Sequence, residues 1–99
     1  MSDWPIGIST GCFYQRSIFD CLEQIRDAGF TIIEICSFPA HLDYRDLGLV
    51  KRASQRIREL HLEPYSFHAP FADHIDITSL DSAVRGPAVI AVEQAAAAA

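Results

Sequence analysis

Short apolar runs alternate along the chain with longer segments in which apolar residues recur every three or four positions. The runs cover residues 6–10, 31–36 and 65–69, and each has the β-branched or aromatic content of a strand. The second run, Thr-Ile-Ile-Glu-Ile-Cys, is nearly continuous, which is typical of a parallel strand covered on both faces. The runs lie about one βα unit apart, and this spacing favours parallel crossovers over hairpins. The pattern therefore predicts the order βαβαβα.

Capping residues and apolar stripes predict where the helices begin and end. Ser17 is the expected N-cap of the first helix, and Gly29 follows its last turn as a stop signal. Asp46 is the expected N-cap of the second helix, and Pro64 prevents its continuation. A third helix is expected from Ser82 into the terminal alanines. The apolar stripes of the first two helices consist of Ile18, Leu22 and Ile25, and of Val50, Ala53, Ile57 and Leu60.

Each predicted strand has one small or polar face and one bulky face, because successive side chains alternate across a strand. The polar faces carry Gly7 and Ser9, Glu34 and Cys36, and Ser66 and His68. The bulky faces carry Ile6 and Ile8, Ile33 and Ile35, and Tyr65 and Phe67. Helices packed outside, with polar groups converging at the carboxyl ends of the strands, form the arrangement of a TIM barrel. We therefore predict the first three βα units of a (β/α)8 barrel, with parallel strands and outer helices, so that residues 1–99 form the N-terminal part of one incomplete domain.

Composition and charge narrow the classes of function. Hydrophobic residues make up 49% of the chain, which is enough apolar material for one core. The net charge of −5 provides no broad basic surface, so nucleic-acid binding is disfavoured. The three cysteines match no zinc or disulfide spacing, which favours reduced thiols in the cytoplasm. Without a signal peptide or an apolar membrane span, the chain is expected to be soluble and cytoplasmic, with no membrane partner.

Two polar residues on the predicted strands are the main candidates for a functional site. Glu34 lies inside an apolar run, where burying a carboxylate is costly without a partner. It either faces solvent from an edge strand or lines a functional pocket. His68 ends the third run, just before Ala69 and Pro70, and is either a structural histidine or a ligand or proton shuttle at a strand terminus.

Other candidates carry weaker signals. Cys12 and Cys36 lie at strand ends and could form a cluster with His68. Because cysteine is most often buried as a small hydrophobic residue, these thiols are expected to line a pocket rather than bind a metal. Phe13 and Tyr14 either wall a substrate pocket or close the barrel rim. His41 and His74 are expected to be solvated loop residues, and His61 is expected to be structural.

Three segments resemble the xylose-isomerase-like TIM-barrel family. They are Ile-Gly-Ile-Ser-Thr at residues 6–10, Gly-Phe-Thr-Ile-Ile-Glu-Ile at residues 29–35, and Tyr-Ser-Phe-His-Ala-Pro-Phe at residues 65–71. The pair G-F-x-x-I-E-I and F-H-A-P at this spacing is more specific than either motif alone. The resemblance extends from Ile6 to about Glu93. The family includes sugar phosphate isomerases and epimerases, and DNA-repair enzymes of the endonuclease IV type.

The resemblance implies a sugar or sugar phosphate isomerase or epimerase, in which proton transfer next to a carbonyl depends on Mn²⁺ or Mg²⁺. It implies that Glu34 lines the active-site pocket at the second strand and that His68 sits at the third. Together with the candidates at the strand ends, the predicted substrate-binding residues are Ser9, Phe13, Glu34, Cys36 and His68. It also implies that the metal ligands lie mostly on later strands, since a complete barrel needs about 250 residues, so the isolated chain is expected to be inactive. A homo-oligomer is compatible with this assignment.

Three alternatives remain open at this point. An endonuclease IV-like, zinc-dependent DNA-repair hydrolase would use His68 as a metal ligand, but the acidic charge balance disfavours a DNA groove. A truncated, non-catalytic barrel fragment would persist by pairing with another chain. A flavodoxin-like open sheet is the structural rival, although the loop at Gly11 has neither a G-x-G-x-x-G nor a Walker sequence for a phosphate.

Overall fold

The structure is a computed structural model that describes residues 5–99, and its elements follow the predicted order. It is a mixed α/β fold with a three-stranded parallel sheet and three helices. The strands are β1 (Gly7–Ser9), β2 (Ile32–Cys36) and β3 (Glu63–His68), and the helices are α1 (Ile18–Asp27), α2 (Leu47–Glu59) and α3 (Ser82–Ala98). A short 3-10 helix, Thr10–Phe13, begins the β1–α1 loop (residues 10–17). The β2–α2 loop comprises residues 37–46.

The three strands pair in the order β1-β2-β3, with β2 in the centre. Both pairings are parallel, which confirms that the connections are crossovers rather than hairpins. This sequential order differs from that of the flavodoxin-like fold, in which the first strand lies between the second and the third. Gly7 is required at the β1–β2 contact, because a Cβ there would lie 2.8 Å from the carbonyl oxygen of Ile32.

Local signals set the helix boundaries. The Ser17 hydroxyl accepts a hydrogen bond from the Phe19 amide at 3.3 Å, and the Asp46 carboxylate accepts one from the Leu49 amide at 3.0 Å. Gly29 follows α1 with φ +97°, a left-handed conformation that glycine adopts without steric cost. After α2, His61 takes the corresponding left-handed position with φ 56°. The predicted caps of α1 and α2 are therefore confirmed, and His61 has the expected structural role.

The core lies between the bulky face of the sheet and the helices α1 and α2. Ile33, at the centre of β2, is completely buried there. On the solvent side, Arg56 of α2 forms an ion pair with Glu23 of α1. The buried core cluster contains Ile18, Cys21, Leu22, Ile25, Ile33, Leu42, Ala53, Ile57, Leu60 and Leu62. Partly buried residues packed against it include Ile8, Phe13, Ile35 and Phe67. The opposite, polar face of the sheet is not covered by α1 or α2.

The third unit departs from the sequence prediction. β3 begins at Glu63 rather than at Tyr65, so Pro64 lies inside the strand instead of ending the preceding helix. Proline is tolerated there because β3 is an edge strand and its register shifts opposite Ile33 and Glu34. The shift leaves Tyr65 as the unpaired residue, with 78% of its surface exposed, so the prediction that it packs under the helices is wrong.

Within residues 5–99, no helix is both long and apolar enough to span a membrane.

Candidate functional site

Small and charged polar side chains form a row across the uncovered face of the sheet. Ser9 of β1 pairs with Glu34 of β2, and Glu34 pairs with Ser66 of β3. All three residues line a groove of about 440 Å³ that opens over this face. Side chains on paired positions of adjacent strands point to the same face. The sequence prediction that these residues share one face is consistent with this register.

Glu34 lies at the centre of this row and is half-buried. It takes part in none of the ion pairs formed among residues 5–99. The Ser9 hydroxyl accepts a hydrogen bond from the Gly11 amide at 3.1 Å, so this side chain also begins the 3-10 helix. Because the Glu34 carboxylate forms no ion pair among the described residues, its oxygens are available to accept hydrogen bonds from the hydroxyl groups of a ligand.

A second concavity lies at the carboxyl ends of β2 and β3, between the β2–α2 loop and the segment that follows β3. Its volume is about 450 Å³, within the usual range for small-molecule pockets. We refer to it as the loop pocket. Most of its lining is apolar, and its polar contributors include Cys36, Ser37, Tyr44, His68 and His74.

His68 has one ring nitrogen free for a ligand. Its Nδ1 lies 2.8 Å from the carbonyl oxygen of Ala69, so Nδ1 carries the proton and Nε2 is left as an acceptor. The ring lies against Phe71, with 5.2 Å between centroids. The backbone of His68 is fixed by a hydrogen bond, which the buried Ser37 hydroxyl donates to its carbonyl oxygen at 2.6 Å. The exposed imidazole is thus positioned at the rim of the loop pocket.

The structure divides the predicted pocket residues among three places. Ser9 and Glu34 line the groove over the sheet, whereas Cys36 and His68, which pair across β2 and β3, line the loop pocket. Because Glu34 and Cys36 are two residues apart on one face of β2, the two concavities adjoin along the strand. Phe13 lines neither concavity and packs against the core instead.

The cysteines differ in their surroundings. Cys12 is exposed on the β1–α1 loop, and Cys36 is half-buried. Cys21 is buried in α1, where desolvation raises the pKa of its thiol to about 11. Among residues 5–99 there is no group of three histidine, cysteine or acidic side chains that could hold a metal ion. Cys12, Cys36 and His68 therefore do not come together as such a group, and the described residues by themselves do not fit Mn²⁺, Mg²⁺ or Zn²⁺.

His41 is a residue whose importance the sequence did not reveal. It was expected to be solvated, and this prediction is wrong, because only 2% of its surface is exposed. Its Nδ1 lies 2.7 Å from the carbonyl oxygen of Arg16 and 3.1 Å from that of Phe13. Both partners are backbone atoms of a distant loop, so no side-chain pattern near His41 could have indicated the contact.

No protein-family model, no curated protein and no solved structure matches this chain. The resemblance to xylose-isomerase-like barrels therefore stays a prediction that depends on the motif residues and on the geometry described above.

Proposed function

We propose that this chain supplies part of the substrate pocket of a sugar or sugar phosphate isomerase or epimerase. The observation that supports this proposal is the row Ser9, Glu34 and Ser66 on the uncovered face of the sheet. Its hydroxyl and carboxylate groups match the hydrogen-bonding needs of a polyol. His68, with Nε2 available, stands at the carboxyl end of the neighbouring strand. In a barrel, this end of the strands is where catalytic groups converge.

Three features of the fold favour a barrel over an open sheet with helices on both faces. The strands are parallel and follow one another in sequence order. The first two helices contribute to one core on the bulky face of β2. The other face carries polar residues and a groove, as expected for a barrel lumen near its catalytic end. These features support the assignment of residues 5–99 to the first three βα units of a (β/α)8 barrel.

Aldose–ketose isomerisation and epimerisation both require proton transfer at a carbon next to a carbonyl. Within this chain, Glu34 would accept hydrogen bonds from sugar hydroxyls and hold the substrate over the sheet. His68 would accept a hydroxyl hydrogen bond at Nε2 and fix the orientation of the sugar ring or chain. The divalent metal implied by the resemblance would polarise the carbonyl, and its ligands would have to come from outside the described residues.

The direct test uses the complete barrel that we propose contains this chain, and it measures deuterium incorporation from D₂O into a panel of aldoses, ketoses and their phosphates by NMR. Proton transfer next to the carbonyl exchanges that one carbon-bound hydrogen for deuterium, and isomerisation or epimerisation yields the corresponding product. Glu34→Gln should lower kcat/KM by about 10- to 100-fold, as expected for the loss of a charged hydrogen bond. Glu63→Gln is the matched control, because Glu63 is exposed at the opposite end of β3. Equal losses in both variants would contradict the role of Glu34.

His68→Asn, made in the complete proposed barrel, separates the sugar enzyme from the repair-type alternative. If His68 contacts substrate, the variant should raise KM or lower kcat while the bound-metal content of the protein stays unchanged. If His68 is a ligand of a zinc cluster, the same variant should lose metal affinity by at least about 10- to 100-fold. His74→Asn is the control, since His74 lines the same pocket without the hydrogen bond that orients His68. Unchanged metal content with unchanged kinetics would defeat both roles.

A further inference from the structure

His41 joins the β1–α1 loop to the β2–α2 loop through both its backbone and its side chain. Its carbonyl oxygen accepts the Ile18 amide at 2.9 Å, which satisfies a free N–H at the start of α1. Its ring nitrogen Nδ1 faces the carbonyl oxygens of Phe13 and Arg16. One buried residue thus fixes both the end of the β1–α1 loop and the first turn of the following helix.

The surroundings of the ring determine its protonation state. Nδ1 faces only carbonyl oxygens, so it carries the hydrogen and donates. Nε2 is buried and has no hydrogen-bond partner among the described residues. Protonation at Nε2 would therefore create both a buried charge and a buried N–H without an acceptor, and each of these is costly.

His41 forms no ion pair with a carboxylate among residues 5–99. The ionisable side chains on the chain segments next to its hydrogen-bond partners and on its own loop are Cys12, Tyr14, Arg16, Asp20, Cys21, Asp43, Tyr44 and Arg45. Arg16 donates to the backbone carbonyl of Asp20 at 3.3 Å, and Asp43 accepts from Arg45 at 2.9 Å. The two carbonyl oxygens at Nδ1 accept a hydrogen bond from either form of the ring. Burial of the ring and the lack of an acceptor for Nε2 among the described residues are what favour the neutral form.

We propose that neutral His41 is a positioning residue that holds the β1–α1 loop against the β2–α2 loop, and that acid releases this loop. The inference does not depend on the proposed sugar chemistry. It concerns the segment that carries Cys12 and Phe13 between β1 and α1.

The direction of the pH effect follows from linkage. Burial lowers the pKa of the His41 imidazole, and the hydrogen bonds to Arg16 and Phe13 oppose the shift only in part. Below the ordinary histidine pKa of about 6.5, the released loop binds a proton that the closed loop does not yet bind. The contact is therefore fully stabilising above that pH, and its contribution is lost as the pH falls towards the lower pKa of the closed state.

Hydrogen exchange followed by mass spectrometry tests this inference on the whole chain. Peptides covering residues 11–20 report on the β1–α1 loop, and peptides covering residues 50–59 of α2 report on the rest of the fold. After correction for intrinsic exchange, protection of residues 11–20 should fall by about tenfold between pH 7.5 and 5.0, the scale expected for a buried N–H left without an acceptor. Protection of residues 50–59 should change much less. A parallel loss in both peptides would overturn the inference, because it would indicate global acid unfolding.

Two variants separate positioning from a merely structural role. His41→Asn keeps an N–H donor near the position of Nδ1 but cannot titrate, so residues 11–20 should stay protected with no acid-induced loss. His41→Leu removes the donor, so protection should be low at both pH values. His74→Asn, which changes an exposed histidine, should behave as the unaltered chain does. An acid response in His41→Asn equal to that of the unaltered chain would overturn the inference, and this comparison holds even if His41→Leu does not fold.

Discussion

The first two βα units and the third unit are built from similar sequence patterns but are stabilised very differently. Residues of the buried core cluster all come from positions 18–62, and none comes from α3. The third unit exposes more large apolar side chains than the first two units, including Tyr65, Phe71, Ile77, Leu80 and Ile90, and the buried residues of α3 are the small Ala88 and Ala95. The radius of gyration is 14.8 Å, larger than the roughly 13 Å of a compact chain of this length. Burial in the core cluster thus distinguishes the first two units from the third.

The difference has a physical reason in the order of the sheet. β2 has a hydrogen-bonded neighbour on each side, so the helices that flank it can share one core. β3 is paired on one side only, and its other edge is free among the described residues. A gap of about 500 Å³ lies between α2, β3 and the end of α3, where residues such as Val50, Ile57 and Phe67 face incompletely filled space. In the proposed barrel, further βα units would cover these surfaces.

The largest expected difference in stability is between alanine substitutions of two leucines, one in the core and one in the third unit. Leu22→Ala removes a side chain that is 0% exposed in α1, and it should destabilise the chain by about 2–5 kcal/mol through lost burial and a residual cavity. Leu80→Ala removes the same atoms from a residue that is 97% exposed before α3, and it should change stability by less than about 0.5 kcal/mol. Urea unfolding followed by circular dichroism measures both. Similar losses for the two variants would mean that the third unit shares the core.

An intermediate loss of stability is expected when the hydrogen bond between Ser37 and His68, which joins the second unit to the third, is removed. Ser37 is 1% exposed, and its hydroxyl donates to the His68 carbonyl oxygen at 2.6 Å. Ser37→Ala leaves that carbonyl without this donor and should cost about 1 kcal/mol, with hydrogen exchange accelerated at the end of β3. The control is Ser54→Ala on the exposed side of α2, where alanine is a better helix former and little change is expected. If hydrogen exchange in β3 is unchanged in Ser37→Ala, the hydrogen bond from Ser37 does not stabilise the end of this strand.

The sequence predicted best what local physics decides. Ser17 and Asp46 cap their helices because short polar side chains bond to the nearby amides whatever surrounds them. The placement of Ser9, Glu34 and Ser66 on the small or polar faces of their strands followed from a side-chain period of two, whereas the register that pairs them is set by the structure.

Features set by distant contacts could not be found in the same way. The sequence predicts that Pro64 stops the second helix from continuing, but in the structure Pro64 lies in an edge strand whose shifted register tolerates it. His41 was expected in solvent, yet its ring bonds to carbonyl oxygens 25 and 28 residues away in sequence. Every residue has a backbone carbonyl oxygen, so neither composition nor residue spacing indicates which of these oxygens will accept a hydrogen bond from His41.

The smallest effect on global stability is expected in α3, although the local change there is large. Pro87 lies inside this helix, where it lacks an N–H for the carbonyl of Ala83 and its ring crowds that carbonyl. Pro87→Ala should therefore favour the helical state of α3 locally by about 3 kcal/mol. Because the core cluster contains no residue of α3, the urea midpoint of the chain should shift by the equivalent of less than about 0.5 kcal/mol. Helical circular dichroism and hydrogen exchange in residues 82–98 should show the gain in local order, while exchange in α1 and α2 stays unchanged. A shift of the global midpoint that matched the local gain would show instead that α3 unfolds together with the first two units, and the division of the molecule into a stable and a weakly held part would have to be abandoned.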